Sequence, residues 1–114
     1  MEKTTSSAAF FDDGLRIEQG TGYEAPGPFV IGRVFDRMDT GEYRQTKRSG
    51  EWQLIHQPSG LLVYESTTRK RLWAIAEALA SSDIDLSALP QEPTTNPHVP
   101  VRLYNAIVSV CACA

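Results

Sequence analysis

Three stretches of the chain alternate apolar and polar residues with the two-residue period of a β-strand. They are Phe29 to Phe35, Trp52 to His56 and Leu61 to Glu65. The segment 57–60 joins the last two and contains a proline and a glycine, which suit a short hairpin loop. The last stretch is partly apolar on both faces, which predicts a central strand covered on one side by a helix.

Directly after these strands the pattern changes to that of an α-helix. Four apolar residues follow the i, i+3, i+4, i+7 spacing that places side chains on one face of a helix: Leu72, Ile75, Ala76 and Leu79. Ser66 or Thr67 is a suitable N-cap, because a hydroxyl can accept a hydrogen bond from a free amide of the first turn. The spacing predicts a helix over about 67–81 with one buried stripe.

The N-terminal third and the polar middle have weaker patterns. Residues 1–9 are small and polar, which predicts a disordered tail. Residues 15–18 alternate like a short strand, and the glycines and prolines of 19–28 predict a loop. After a turn at 39–41, Glu42 to Lys47 can return as a polar strand.

The C-terminal part begins with a segment, 86–100, that carries four prolines and is predicted to be a linker or wrapping loop. Two alternatives remain open for 101–113. A helical stripe fits the apolar residues Leu103, Ala106, Ile107, Val110 and Cys111, whereas the valine and isoleucine content favours a strand. We favour a short helix, with Pro100 at its start.

The patterns together predict an α+β fold, in which residues 10–114 form a single domain. An antiparallel sheet of three to five strands carries the 67–81 helix on one face, and a second short helix is possible at the C-terminus. The predicted core residues are Phe29, Ile31, Val34, Phe35, Leu54, Leu62, Val63, Leu72, Ile75, Ala76 and Leu79.

Composition narrows the classes of function. Apolar residues make up 41% and charged residues 22% of the chain, which is typical of a globular domain. The net charge of -3 argues against a protein that coats nucleic acid. No stretch approaches the roughly 20 apolar residues of a membrane span, and the N-terminus does not resemble a signal peptide. Two cysteines close to the C-terminus favour a reducing, cytoplasmic compartment.

Charge is unevenly distributed, and this indicates where a ligand could bind. Between Arg33 and Arg71 there are eight basic and five acidic residues, whereas the first 24 residues hold five acids and two bases. Cations at a helix N-terminus oppose the helix dipole, so their presence there suggests an anion or an acidic partner. The predicted binding residues are Tyr43, Arg44, Lys47, Arg48, Arg69, Lys70, Arg71 and Trp73. We expect the strand and helix clusters to approach each other at one end of the sheet.

Candidates for catalysis are few. His56 and Ser59 are three residues apart at a hairpin and could form a hydrolase pair, but a serine beside a histidine in a turn is usually turn chemistry. Two aspartate pairs, at 36 and 39 and at 83 and 85, lack the further ligands that a metal site needs. We therefore expect a non-enzymatic protein with no cofactor and no metal.

One stretch has a topology that resembles a known DNA-binding family. A strand led by Trp52, a turn, a second strand and an alanine-rich helix ending near Ala80 are similar to the AP2-type DNA-binding domains. That family reads DNA with arginines and tryptophans on its sheet, and Arg44, Arg48 and Trp52 are the corresponding residues here. The resemblance covers about a third of the chain and lacks the family's glycine-phenylalanine element before the helix. It implies a DNA-binding regulator that uses the basic sheet and helix end.

A second resemblance concerns composition alone. The hairpin of residues 52–63, the capped alanine-rich helix and the loose ends are similar to small accessory proteins of phages and mobile elements, including anti-CRISPR proteins. This implies an inhibitor or adaptor that binds a protein or nucleoprotein complex through its surface. We take this as the first hypothesis and the DNA-binding regulator as its alternative, with no membrane partner. The oligomeric state stays open.

Overall fold

The computed structural model describes residues 2–11, 14–46 and 50–113, and within them the chain forms seven strands and two α-helices. The strands are β1 (Lys3–Phe10), β2 (Arg16–Glu24), β3 (Phe29–Arg33), β4 (Phe35–Arg37), β5 (Tyr43–Gln45), β6 (Trp52–His56) and β7 (Leu61–Ser66). The helices are α1 (Arg69–Ser81) and α2 (Val101–Cys113).

Five of these strands form one antiparallel sheet in the order β1-β2-β3-β6-β7, and β4 pairs with β5 in a separate two-stranded sheet. The predicted α+β fold is confirmed, with the main sheet at the upper end of the expected strand number. The predicted strand from Phe29 to Phe35 is in fact divided at Val34, where the chain leaves the large sheet for the small one.

Helix α1 packs on one face of the large sheet, as its apolar spacing predicts. All four residues of its stripe are fully buried, against Phe29, Ile31 and Leu54 of the sheet. The predicted cap is wrong by one or two residues, because the N-cap is Thr68, whose hydroxyl accepts a hydrogen bond from the Arg71 amide. Ser66 instead accepts a hydrogen bond from the Thr68 amide.

Two residues of β7 that were predicted to lie in the core are not fully buried. Leu62 is 51% exposed and Val63 is only partly buried. The prediction of a central strand is wrong because β7 is an edge strand of the sheet. A register shift between Leu54 and Ile55 places Leu62 opposite Ile55, on the face that α1 does not cover. Val34 is likewise only partly buried.

The prediction of a disordered N-terminal tail is also wrong, because β1 pairs along its whole length with β2. Strand β2 itself runs on to Glu24, through the segment predicted to be a loop. The small residues there serve close packing. A Cβ atom on Gly32 would lie 2.8 Å from the Ser6 hydroxyl oxygen, and Ser6 is fully buried. The small residues that suggested disorder therefore allow neighbouring strands to approach each other closely.

The large sheet curls so strongly that strand β1 reaches the turn between β6 and β7. The amide of Ala9 donates to the carbonyl of Gly60 at 2.9 Å. The small β4-β5 sheet packs on the face opposite α1, where Phe35 joins Ala8 and Ile55 in a second apolar cluster. The Gln45 side chain fastens it to β2, because it both accepts from the Thr21 amide and donates to the Thr21 carbonyl, each at 2.8 Å.

The C-terminal segment is a helix, as we favoured. In α2 the residues Leu103 and Cys111 are buried and Ile107 and Val110 pack against the core, so the predicted stripe faces inward. The proline-rich segment contains a short 3-10 turn at Leu86–Ala88 and is otherwise irregular. Neither helix in the described ranges is long and apolar enough to cross a membrane.

Candidate functional site

A cavity of about 310 Å³ opens at one end of the sheet, beside the first turn of α1. We call it the basic-aromatic cavity. Its lining combines three cationic side chains, two aromatic rings and a short stretch of β2: Lys3, Thr21, Gly22, Tyr23, Arg33, Trp52 and Arg69.

Strand register brings four of these residues to the same face. Lys3 lies opposite Tyr23 in the β1-β2 pair, and Arg33 lies opposite Trp52 in the β3-β6 pair. Tyr23 lies opposite Ile31, two residues before Arg33, so all four side chains share the face that carries α1. Arg69 is the first residue of α1 and reaches the same place from above the sheet.

Both arginines rest on aromatic rings. The guanidinium carbon of Arg33 lies 3.8 Å from the centre of the Trp52 ring, and that of Arg69 lies 4.9 Å from the same ring and 5.0 Å from the Tyr23 ring. The two rings are 6.2 Å apart and tilted by 54°. Cation–π contacts of this kind contribute roughly 0.5–1 kcal/mol each at exposed sites. The rings therefore hold the guanidinium groups in place while leaving their N–H donors for another partner.

The positive charge of the cavity is not balanced locally. Its lining contains no aspartate or glutamate, and no ion pair joins Lys3, Arg33 or Arg69 to a carboxylate within the described part of the chain. By contrast, Arg16 and Arg44 are paired with Glu18 and Glu42. Three uncompensated cations in one concave site favour an anionic ligand.

The structure separates the described residues of the predicted strand cluster from the predicted cluster at the start of α1. Tyr43 stacks on Phe10 with ring centres 4.0 Å apart, in the cluster on the face opposite α1. Arg44 pairs with Glu42 on the same small sheet. Lys47 and Arg48 lie outside the described residues. Tyr43 and Arg44 therefore cannot form one site with the α1 N-terminus.

The predicted residues of α1 also separate. Arg69 alone of them lines the cavity. Arg71 turns towards β7, where its guanidinium lies 5.6 Å from the Tyr64 ring centre. Lys70 is exposed, and Trp73 is partly buried in a neighbouring cavity that also holds Glu2 and Glu24.

Six of the seven cavity residues were absent from the predicted binding residues: Lys3, Thr21, Gly22, Tyr23, Arg33 and Trp52. Only Trp52 among the six was named as a contact, through the AP2-type resemblance. Lys3 was assigned to the disordered tail, and Tyr23 to a loop. The sequence contained a signal for only one pair of these residues, Arg33 and Trp52. Because β3 and β6 both carry strong strand patterns, an antiparallel pairing in the right register would place Arg33 beside Trp52.

The predicted pair of His56 and Ser59 is real but buried. Their Nδ1 and Oγ atoms are 2.7 Å apart, and the Ser59 oxygen also accepts a hydrogen bond from the Leu61 amide. His56 is 1% and Ser59 2% exposed, so both lie beneath the surface. The pair holds the β6-β7 turn together. That the chain is not an enzyme stays a prediction.

Burial lowers the pKa of His56 below its ordinary value of 6.5. In the unfolded chain this histidine takes up a proton as pH falls below about 6.5, whereas in the fold it resists doing so. We therefore expect the free energy of unfolding to decrease as the pH is lowered below about 6.5, by at most about 1.4 kcal/mol per pH unit. Urea titrations between pH 7.5 and 5 measure it. His56→Gln should remove this dependence and His98→Gln should keep it, and the reverse outcome would refute the assignment.

A second surface differs in character from the basic-aromatic cavity. A groove of about 410 Å³ lies between β7 and α2 and is lined mainly by apolar side chains. Leu62, Tyr104 and Val108 line it and are 51%, 60% and 47% exposed. Burial there raises the pKa of the Cys111 thiol, and the charge of Arg71 opposes that rise.

Neither family models, curated proteins nor solved structures match the chain. Among the described residues no group of three or more histidines, cysteines or carboxylates could hold a metal ion. The described residues thus form a small α+β fold whose two candidate binding surfaces are the basic-aromatic cavity and the apolar groove.

Proposed function

We propose that this chain is a non-enzymatic protein that binds single-stranded nucleic acid in the basic-aromatic cavity. The observation that supports this most strongly is a set of three cations around two aromatic rings, none of them paired with a carboxylate among the described residues. Nucleic acids offer both complementary groups, because each nucleotide carries an anionic phosphate and a flat base. The proposal keeps the nucleic-acid ligand of the DNA-binding alternative but makes it single-stranded, and only Arg69 is shared with the predicted binding residues.

The size and shape of the cavity support a single strand over a duplex. About 310 Å³ is the volume of a small-ligand site and accommodates about one nucleotide. A duplex presents phosphates along two strands, and the predicted arginines Arg44 and Arg71 do not extend the cavity into a surface that follows them. Arg44 lies on the small sheet and Arg71 faces β7.

Fluorescence anisotropy with labelled single-stranded DNA and RNA and a matched duplex tests this proposal. We expect the single strands to bind more tightly than the duplex. The logarithm of affinity should fall with the logarithm of salt with a slope no steeper than about -2, because about 0.7 counterions are released per phosphate and three cations are available. If neither single-stranded DNA nor single-stranded RNA binds at low salt, the proposal is refuted.

A protein partner is the second candidate, and the β7-α2 groove is the observation that favours it. Three large apolar side chains are exposed around it, which is typical of a surface that contacts another protein. This is the surface that an inhibitor or adaptor of the mobile-element kind, anti-CRISPR proteins included, would use against a nucleoprotein complex. Tyr104→Ser should leave oligonucleotide binding unchanged and weaken such a complex. Two free thiols fit a cytoplasmic setting for either function.

A further inference from the structure

We infer that the basic-aromatic cavity takes the terminal phosphate monoester of a nucleotide and not a phosphodiester inside a strand. This inference rests on the proposed function and makes its ligand specific. It depends on the charge of the cavity, on what lies next to it and on how its arginines are held.

Charge is the first argument. The cavity gathers Lys3, Arg33 and Arg69 around one small volume, with no carboxylate among its lining residues in the described chain. A phosphodiester carries one negative charge, whereas a phosphate monoester carries about 1.5 to 2 at neutral pH. Three convergent cations match the monoester better, because a lone diester would leave most of their charge unbalanced.

The neighbouring surface is the second argument. Residues next to the cavity along β1, β2 and α1 form another cavity, which contains Glu2, Glu24 and Trp73. Glu2 precedes Lys3 and Glu24 follows Tyr23, so the change from basic to acidic is abrupt. The negative charge of these two residues lowers the electrostatic potential on this side of the cavity, which disfavours a second phosphate there. A strand that ends in the cavity avoids this repulsion.

The third argument is the way the guanidinium groups are held. Arg33 rests on Trp52, and Arg69 rests on both Trp52 and Tyr23. Each planar group can donate two parallel hydrogen bonds to neighbouring oxygens, and little side-chain freedom remains to be lost on binding. A monoester has three terminal oxygens for these donors and for Lys3, whereas a diester has two.

The test compares one oligonucleotide sequence in three forms: with a 5′-phosphate, with a 3′-phosphate and with hydroxyl groups at both ends. Each form carries the same internal fluorophore, and adenosine monophosphate serves as the competitor. We expect at least one phosphorylated form to bind about tenfold more tightly than the unphosphorylated strand, because hydrogen bonds to charged groups are worth about that factor or more. Arg69→Gln should remove the preference, and the matched Arg102→Gln on α2 should retain it.

The outcomes separate the inference from the proposed function. A preference for a 5′- or 3′-phosphate supports the inference and identifies the end. Competition by adenosine monophosphate at the affinity of the phosphorylated strand also supports it and identifies the free nucleotide as the ligand. Equal affinity for all three strands overturns the inference and leaves the proposed function standing. If no strand and no nucleotide binds, both are refuted.

Discussion

Replacing Arg33 and Arg69 together by glutamate should lower the affinity for a single-stranded oligonucleotide by at least about a hundredfold. Each arginine is expected to donate charge-assisted hydrogen bonds worth roughly 1.5–3 kcal/mol, and two such losses exceed the 2.7 kcal/mol that corresponds to a hundredfold. The introduced carboxylates would in addition repel the phosphate inside the cavity. Anisotropy at about 0.15 M salt measures the loss, because charges more than about 8 Å from the ligand are largely screened there.

A control with the same change in net charge is provided by Arg44→Glu on the small sheet with Arg102→Glu on α2. Neither residue lines the basic-aromatic cavity, and both are exposed. We expect less than about a fivefold loss for this pair, because distant exposed charges are screened by salt. Should the glutamate variants of the cavity fail to fold, Arg33→Gln with Arg69→Gln removes the donors without adding negative charge. Equal losses in the cavity and control pairs would show that only net charge matters.

The largest expected effect on stability is that of Leu72→Ala. This side chain has no exposed surface and packs between α1 and the sheet, in the cluster that contains Ile31 and Leu54. Truncating a buried leucine costs roughly 2–5 kcal/mol, because transfer energy is lost and a cavity remains. We expect the free energy of unfolding to fall by about that amount in urea titrations followed by circular dichroism.

The chain supplies a matched control for this substitution. Leu62→Ala removes the same atoms from a side chain that is 51% exposed on the edge strand. Its loss should stay below about 1 kcal/mol, since half of the apolar surface is already in water. Similar losses for the two variants would mean that α1 does not cover the sheet as described.

Helices were the most predictable part of this fold. The stripes of α1 and α2 are periodic over three turns, and only one face of such a helix can be buried. For residues 101–113 the sequence did not decide between a strand and a helix, because valine and isoleucine favour strands as strongly as the spacing favours a helix. The buried positions Leu103 and Cys111 show that tertiary packing followed the spacing.

Apart from residues 15–18 at the start of β2, the N-terminal strands could not be predicted, because their signal is pairwise. Ser6 and Gly32 are individually poor strand residues, but each leaves the space that the other needs. Sequence patterns describe neighbours along the chain, whereas this packing joins residues more than twenty positions apart. The same difficulty applies to the end of β2, where Gly22 lies opposite Gly32 and approaches Ser6.

The candidate site was predicted only in part for a related reason. Arg69 stood out because cations at a helix N-terminus oppose the helix dipole. Its partners come from β1, β2, β3 and β6, and only the register of those strands brings them together. Tyr43 and Arg44 had the expected chemistry, but the break at Val34 carries their strand to the opposite face.

The most direct test of the binding site is a nitrogen-15 NMR titration with a phosphorylated single strand. The account predicts that the largest shifts fall on residues of the basic-aromatic cavity, namely Lys3, Thr21, Gly22, Tyr23, Arg33, Arg69 and the indole N–H of Trp52. Small shifts are expected on α2 and on the β4-β5 sheet. Shifts concentrated instead around Tyr104 and Val108 would contradict the account and assign the interaction to the apolar groove.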